Sequence, residues 1–173
     1  MPFNEQYTVN RGGTDDEDYK DVFILRVDLN LFDASGDSPL VAQDIEQGAL
    51  SANLLKSGDE LWVIGYPAES NSIDYEINKI VNTRSVLRAI YKGTSVSVHC
   101  HELLMETSVD LESYDGLSGS PVYHMKEVIQ GSQIISFPLL VGMLLRGTAS
   151  SRIAHFVNSD VLSNIISLAE ETS

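Results

Sequence analysis

Ser118 lies in the run Asp115-Gly116-Leu117-Ser118-Gly119-Ser120-Pro121, a serine bracketed by two glycines and closed by a proline that fixes the start of the following strand. A serine that attacks a carbonyl needs its hydroxyl outside any helix or sheet ladder, and backbone N–H groups turned inward to hold the oxyanion that forms. Gly116 and Gly119 permit such a backbone, because glycine enters conformations closed to other residues. In that arrangement the N–H groups of Gly116 and Ser118 converge about 3 Å from the developing charge. The same composition also describes an ordinary Gly/Ser/Pro turn between two strands, and the seven residues alone do not choose between the two.

A serine nucleophile also needs a base. The chain has four histidines, His99, His101, His124 and His155. His99 and His101 flank Cys100 on an expected strand, so they should share one face. A Cys/His pair there lacks the further ligands a zinc site needs, and neither a metal nor a cofactor is expected. His124 follows Ser118 on an outgoing strand and reads as a packed or surface residue. His155, next to Phe156, reads as a hydrogen-bonded wall residue.

The elements that must position these groups are mostly strands. Short β-rich runs alternate with turn signals, as in an antiparallel barrel or sandwich. The expected strands are Gln6–Asn10, Val22–Asp28, Glu60–Tyr66, Tyr75–Val86, Ser95–His101, Pro121–Met125, Leu139–Leu145 and Arg152–Val157. Glu60–Tyr66, apolar on both faces and closed by Pro67, reads as a core strand. One helix stands out: after Asn158-Ser159-Asp160, residues Val161, Leu162, Ile165, Ile166 and Leu168 recur at helical spacing, with Ser159 or Asp160 as N-cap.

At 173 residues, of which 43% are hydrophobic, one domain with a true core is the expectation. The best internal boundary is the loop from Phe32 to Pro39, where Asp33, Ser35, Gly36, Asp37 and Ser38 cluster. The net charge of −14 argues against nucleic-acid partners, which such a surface repels; the acidic run Asp15–Asp18 reads as a solvated loop tip. The single cysteine, Cys100, forms no internal disulfide, which fits a cytoplasmic address. Met1–Asn10 carries no signal-peptide pattern, and no apolar run reaches the length of a membrane span, so no membrane partner is expected.

Four segments, in order, resemble the trypsin/chymotrypsin-like serine peptidases. Asp21-Val22-Phe23-Ile24-Leu25-Arg26-Val27 is similar to the family strand whose leading aspartate orients the catalytic histidine. Gly58 to Pro67 is similar to the strand that opens the second barrel, Gly116-Leu117-Ser118-Gly119-Ser120-Pro121 to the nucleophile loop, and Val141-Gly142-Met143 to the strand beside the substrate pocket. The likeness is nearer the bacterial Deg-like and small intracellular members than the digestive ones, since paired cysteines are lacking and Leu117 stands where digestive enzymes have aspartate. Activation by a freshly cut N-terminus is therefore not expected.

The resemblance implies an all-β fold: the last strands of a first barrel and the inter-barrel loop in residues 1–38, then a complete second barrel with a C-terminal helix in residues 39–173. It implies Ser118 as nucleophile, Asp21 as the group that orients the histidine, and Gly116 and Ser118 as oxyanion donors. Glu112, six before the nucleophile, takes the position at the floor of the primary pocket and would favour Lys or Arg, or else is merely solvated if the loop Val109–Tyr114 differs in length. Met143, Leu144 and Leu145 would pair with an extended substrate.

In this family the histidine precedes the aspartate, and residues 1–20 contain none. The expectation is a trypsin-like endopeptidase, or its C-terminal part, whose histidine comes from outside these residues, with a second chain carrying the first barrel as one source. The alternatives are a non-catalytic module of the same fold that binds extended peptide or a protein partner, and an unrelated acidic β-protein in which the glycine-serine turn is only a turn.

Overall fold

In the computed structural model, which describes residues 3–8, 22–27, 44–74, 79–81, 83–106 and 111–171, strand β1 (Phe3–Thr8) pairs antiparallel with β2 (Phe23–Val27) as a sheet of its own. A one-turn helix α1 (Ile45–Gly48) follows, started by Asp44, whose carboxylate accepts from the N–H groups of Glu46 and Gln47. Then come β3 (Glu60–Gly65), a small antiparallel pair β4 (Ser72–Asp74) and β5 (Lys79–Val81), β6 (Ser85–Thr94), β7 (Cys100–Met105), β8 (Pro121–Gln130), β9 (Gln133–Thr148), β10 (Ile153–Asn158) and the helix α2 (Ser159–Glu171). Six of these strands close into an antiparallel barrel in the order β10-β7-β6-β3-β8-β9, with β9 returning to β10.

Period-two patterning explains the closure. In a strand, successive side chains face opposite sides of the sheet, and Leu61 and Val63 of β3, Leu87, Ala89 and Tyr91 of β6, and Leu103 and Met105 of β7 all turn inward. Val122, Val141, Leu144, Ala154 and Phe156 complete the interior. The intervening residues face out. Arg88 on β6 reaches Glu60 on β3 and Glu106 just past β7, bonding both carboxylates at 2.6 and 2.9 Å. Closure covers both edges of each strand where the ring is complete, which removes the hazard that free edges carry there, while the outer half of the β8–β9 hairpin extends beyond the ring.

A second apolar cluster lies outside the barrel, where Val22, at the head of β2, packs with Val157, Val161, Leu162 and Ile165, and with Ile24, Leu140, Met143 and Leu145 at its margin. The helical spacing of Val161, Leu162 and Ile165 is what lets α2 cover this face. Its N-terminus is capped by Asn158, ahead of the expected Ser159 or Asp160. The Asn158 side-chain oxygen accepts from Asp160 N (3.2 Å) and from Ala52 N (3.1 Å), while its amide donates to the Asp160 carboxylate (3.1 Å). Asp160 also accepts from the Ser51 hydroxyl at 2.5 Å. Asn158 is buried, and its amide satisfies groups of both the helix start and the segment leading into β3.

Four expected strands have other bounds in the structure. Of the expected strand Tyr75–Val86, the described residues carry β5 and the start of β6, which runs on to Thr94, while 75–78 and 82 lie outside them and β4 ends just before it. Ser95–His101 is mostly a turn, with Ser95 N bonded to Cys100 O and His99 at φ 60°. Val96 and Val98 mimic strand alternation there, yet Val96 is 99% exposed; Leu103 and Met105 carry the buried face instead. Pro121–Met125 and Leu139–Leu145 are the inner parts of one long hairpin, β8 and β9, which turns at Gly131-Ser132. Its outer half exposes Ile129 and Ile134, so no half-buried alternation marks it in the sequence. Among the described residues no helix is long and apolar enough to cross a membrane.

Replacing Asn158 with alanine removes the α2 cap and leaves the buried N–H of Ala52 without its acceptor. We expect a loss of about 1–3 kcal/mol, read as a lower urea midpoint with an unchanged slope.

Candidate functional site

Ser118 is held on a loop made of two consecutive tight turns. Leu117 N donates to Tyr114 O at 3.1 Å and Ser120 N donates to Leu117 O at 3.0 Å. Gly116 and Gly119 both have positive φ, +83° and +86°, a region costly for residues with a Cβ. At Gly116 space adds a second demand: a Cβ would lie 2.6 Å from the Tyr66 carbonyl oxygen and 2.8 Å from Ala68 N. The loop is pinned there by Ala68 N donating to Asp115 O at 2.8 Å, and Leu117, wholly buried, anchors it in the barrel core.

The loop then hooks onto β9. Gly119 N donates to Leu144 O and Leu144 N donates to Ser120 O, each at 2.8 Å. The Ser118 hydroxyl, exposed, donates to Leu145 O at 2.9 Å. Leu144 and Leu145 thus both turn a carbonyl to the same side, which a regular strand does not do. A bulge accounts for it: β9 pairs with β10 as Phe156↔Leu144 and then His155↔Arg146, leaving Leu145 as the extra residue, and bulges re-aim backbone groups in this way. The N–H groups of Gly116 and Ser118 donate to none of the described residues.

The residues singled out from the sequence fall into distinct places. Ser118 and Gly116 share the exposed loop. Asp21 lies outside the described residues; Val22, next in the chain, belongs to the cluster that Met143 and Leu145 flank. Leu144 faces the core and is 1% exposed, with its N–H and C=O both taken by the loop, so neither its side chain nor its backbone is open to an incoming strand. Glu112 is exposed on the outside of the loop, its N–H donating to the Glu69 carboxylate at 3.0 Å. The side chain of this loop that lies against β9 is instead Tyr114, whose ring meets Gly147 and whose hydroxyl pKa is raised by burial, with Arg152 opposing. Nothing in the local sequence marks Tyr114, because its neighbour Gly147 is 33 positions away in another strand.

The histidines are dispersed, and none hydrogen-bonds Ser118. His101 is inside, its Nδ1 2.7 Å from the Tyr91 hydroxyl and its ring stacked on Phe156 at 5.4 Å. His99 is exposed in the preceding turn, so the two do not share a face. His124 Nδ1 donates to the Glu60 carbonyl at 3.3 Å, and His155 Nδ1 lies 3.2 Å from the Ser95 hydroxyl. Among the described residues no group of three or more His, Cys, Asp or Glu is arranged to hold a metal. Neither a protein-family model nor a curated protein matches this chain.

Chemically, the loop offers an exposed hydroxyl beside two uncommitted backbone donors, a combination that can receive a carbonyl or carboxylate oxygen. Gly116→Ala should displace that loop, since both φ and the Tyr66 carbonyl forbid the methyl group. A destabilisation of about 1–3 kcal/mol is expected, with amide shifts in the NMR spectrum concentrated at residues 114–120. His101 gives a separate prediction: burial, the largest effect, lowers its pKa below the usual 6.5, with Asp160 opposing and His99 reinforcing. The unfolded chain then binds the proton more readily than the folded one. Stability is complete above about pH 6.5 and falls below it, by up to about 1.4 kcal/mol per pH unit for one proton. His101→Gln should remove one proton's worth of that slope between pH 7 and 5 in denaturation series.

Proposed function

We propose that this chain is a trypsin-like serine endopeptidase, or the C-terminal part of one, that hydrolyses peptide bonds with Ser118. The observation that carries the reading is the hydroxyl of Ser118 exposed on a glycine-bounded loop beside the uncommitted N–H groups of Gly116 and Ser118. A closed six-stranded antiparallel ring with a C-terminal helix is the frame that the resemblance calls for. In this reading Ser118 Oγ adds to the substrate carbonyl, its proton passes to a histidine supplied from outside these residues, and the two N–H groups hold the oxyanion. Collapse expels the amine, which takes the histidine's proton, and water then releases the acyl group by the reverse sequence. Asp21 orients that histidine, and Val22 beside it packs in the cluster that flanks Ser118's contact strand. The partners are a peptide or protein substrate and the segment or second chain that carries the first barrel; the single buried cysteine suits a cytoplasmic protein.

A second reading is favoured by one observation. Ser118 donates its proton to a carbonyl that cannot act as a base, so the same loop and strand also suit a non-catalytic module that binds extended peptide.

Fluorophosphonate labelling separates the two, because Ser118 Oγ displaces fluoride only when its hydroxyl is activated. With the histidine-bearing segment present, labelling at Ser118 should be rapid and should vanish in Ser118→Ala. For residues 1–173 alone the rate should fall by about 10⁴ to 10⁶, the cost of a missing triad member. Folded protein that stays unlabelled under both conditions excludes the peptidase reading and leaves the binding module.

A further inference from the structure

Past Leu145, no strand of the described residues lies on the β8 side of β9: β8 pairs only as far as Met143, and Gly119 and Ser120 extend the contact to Leu144. An extended peptide that brings a carbonyl to Ser118 would lie along this edge. Its side chains would alternate between the two faces of the sheet. On one face stand Met143 and Leu145 with the α2 cluster. On the other is the wedge between β9, β10 and the loop before Ser118. A Cβ built on Gly147 points into that wedge and would meet Tyr114 Cδ2 at 2.6 Å and Ala154 Cβ at 2.8 Å. Gly147 and Ala154, paired across β9 and β10, are small residues that could leave a recess, and the Tyr114 ring fills it. Tyr114 is only 9% exposed and counts among the core residues, and its carbonyl is tied to Leu117 N within the Ser118 loop itself.

We infer that Tyr114 is the residue that sets side-chain size at this site, closing the wedge so that the peptide residue beside Ser118 must be small, glycine, alanine or serine. The inference rests on reading the Ser118 loop as a peptide-handling site and names its ligand class. It also moves the determinant from Glu112, which is exposed and outside the wedge. A larger side chain would have to displace a buried aromatic ring packed on two strands, and a pocket rejects what it cannot accommodate by steric exclusion. The ring has no slack, since the backbone that bears it is held by the same turn that presents Ser118.

The test needs no catalysis. Peptides N-acetyl-Thr-Val-Thr-X with a free terminal carboxylate, X being Ala, Phe or Lys, can place that carboxylate against the N–H groups of Gly116 and Ser118. They are titrated into the full ¹⁵N-labelled chain. The Ala peptide should bind at least about tenfold tighter than the Phe and Lys peptides, with shifts at the amides of Gly116 and Gly147. In Tyr114→Val and Tyr114→Ala the Phe peptide should draw level with or pass the Ala peptide; should neither variant fold, the wild-type series decides alone. Equal affinities for Ala and Phe in the wild type, shifts confined to other parts of the molecule, or no binding of any peptide overturns the inference. Size discrimination with no fluorophosphonate labelling either with or without the histidine-bearing segment removes the peptidase reading and keeps this one, whereas labelling without size discrimination does the reverse.

Discussion

The reciprocal pair of backbone hydrogen bonds between Leu144 and Gly119-Ser120 is the constraint on which the site depends. It fastens the loop to a strand that is itself bonded along its other edge to β10. Because a bulge follows at once, the next carbonyl, that of Leu145, turns toward Ser118 instead of toward β10. The serine's orientation is therefore set by main-chain geometry, which is hard to alter by side-chain substitution. Leu117 contributes from below: it is a buried apolar residue between exposed Gly116 and Ser118, and its side chain is spent on the core.

Two apolar clusters divide the work around this tie. The interior of the ring fixes the curvature of β9 and β10, and the outer cluster draws β2 and α2 against the same two strands. Asn158 links them at the point where β10 becomes α2, satisfying donors from both sides with one buried amide. Such groups are costly to leave unpaired, so the register of α2 on the barrel is specified by polar contacts while its adhesion comes from burial.

The histidines show how far residue type alone carries a functional argument. A serine in a glycine turn invites a search for its base, and each histidine of the chain is engaged elsewhere or turned to solvent. His101 illustrates the physical reason. In strand β7 it shares the inward face with Leu103 and Met105, and the cost of burying an imidazole is offset by the Tyr91 hydroxyl and by stacking on Phe156. Its neutral form is a packing element.

Alternation of apolar residues made β3, the inner parts of β8 and β9, and β10 legible, and the Gly-Leu-Ser-Gly-Ser-Pro run announced an exposed turn, because period and turn chemistry are local properties. The outer half of the β8–β9 hairpin was not legible, since a strand exposed on both faces carries no burial pattern, and the Val96/Val98 alternation misled for the complementary reason that it buries nothing. What only the tertiary structure decided is which groups meet: the Leu145 carbonyl with Ser118, Tyr114 with Gly147, Asn158 with Ala52. Each of these pairs joins segments distant in the chain, and their contact follows from the closure of the ring and the position of one bulge, neither of which any single stretch of sequence encodes.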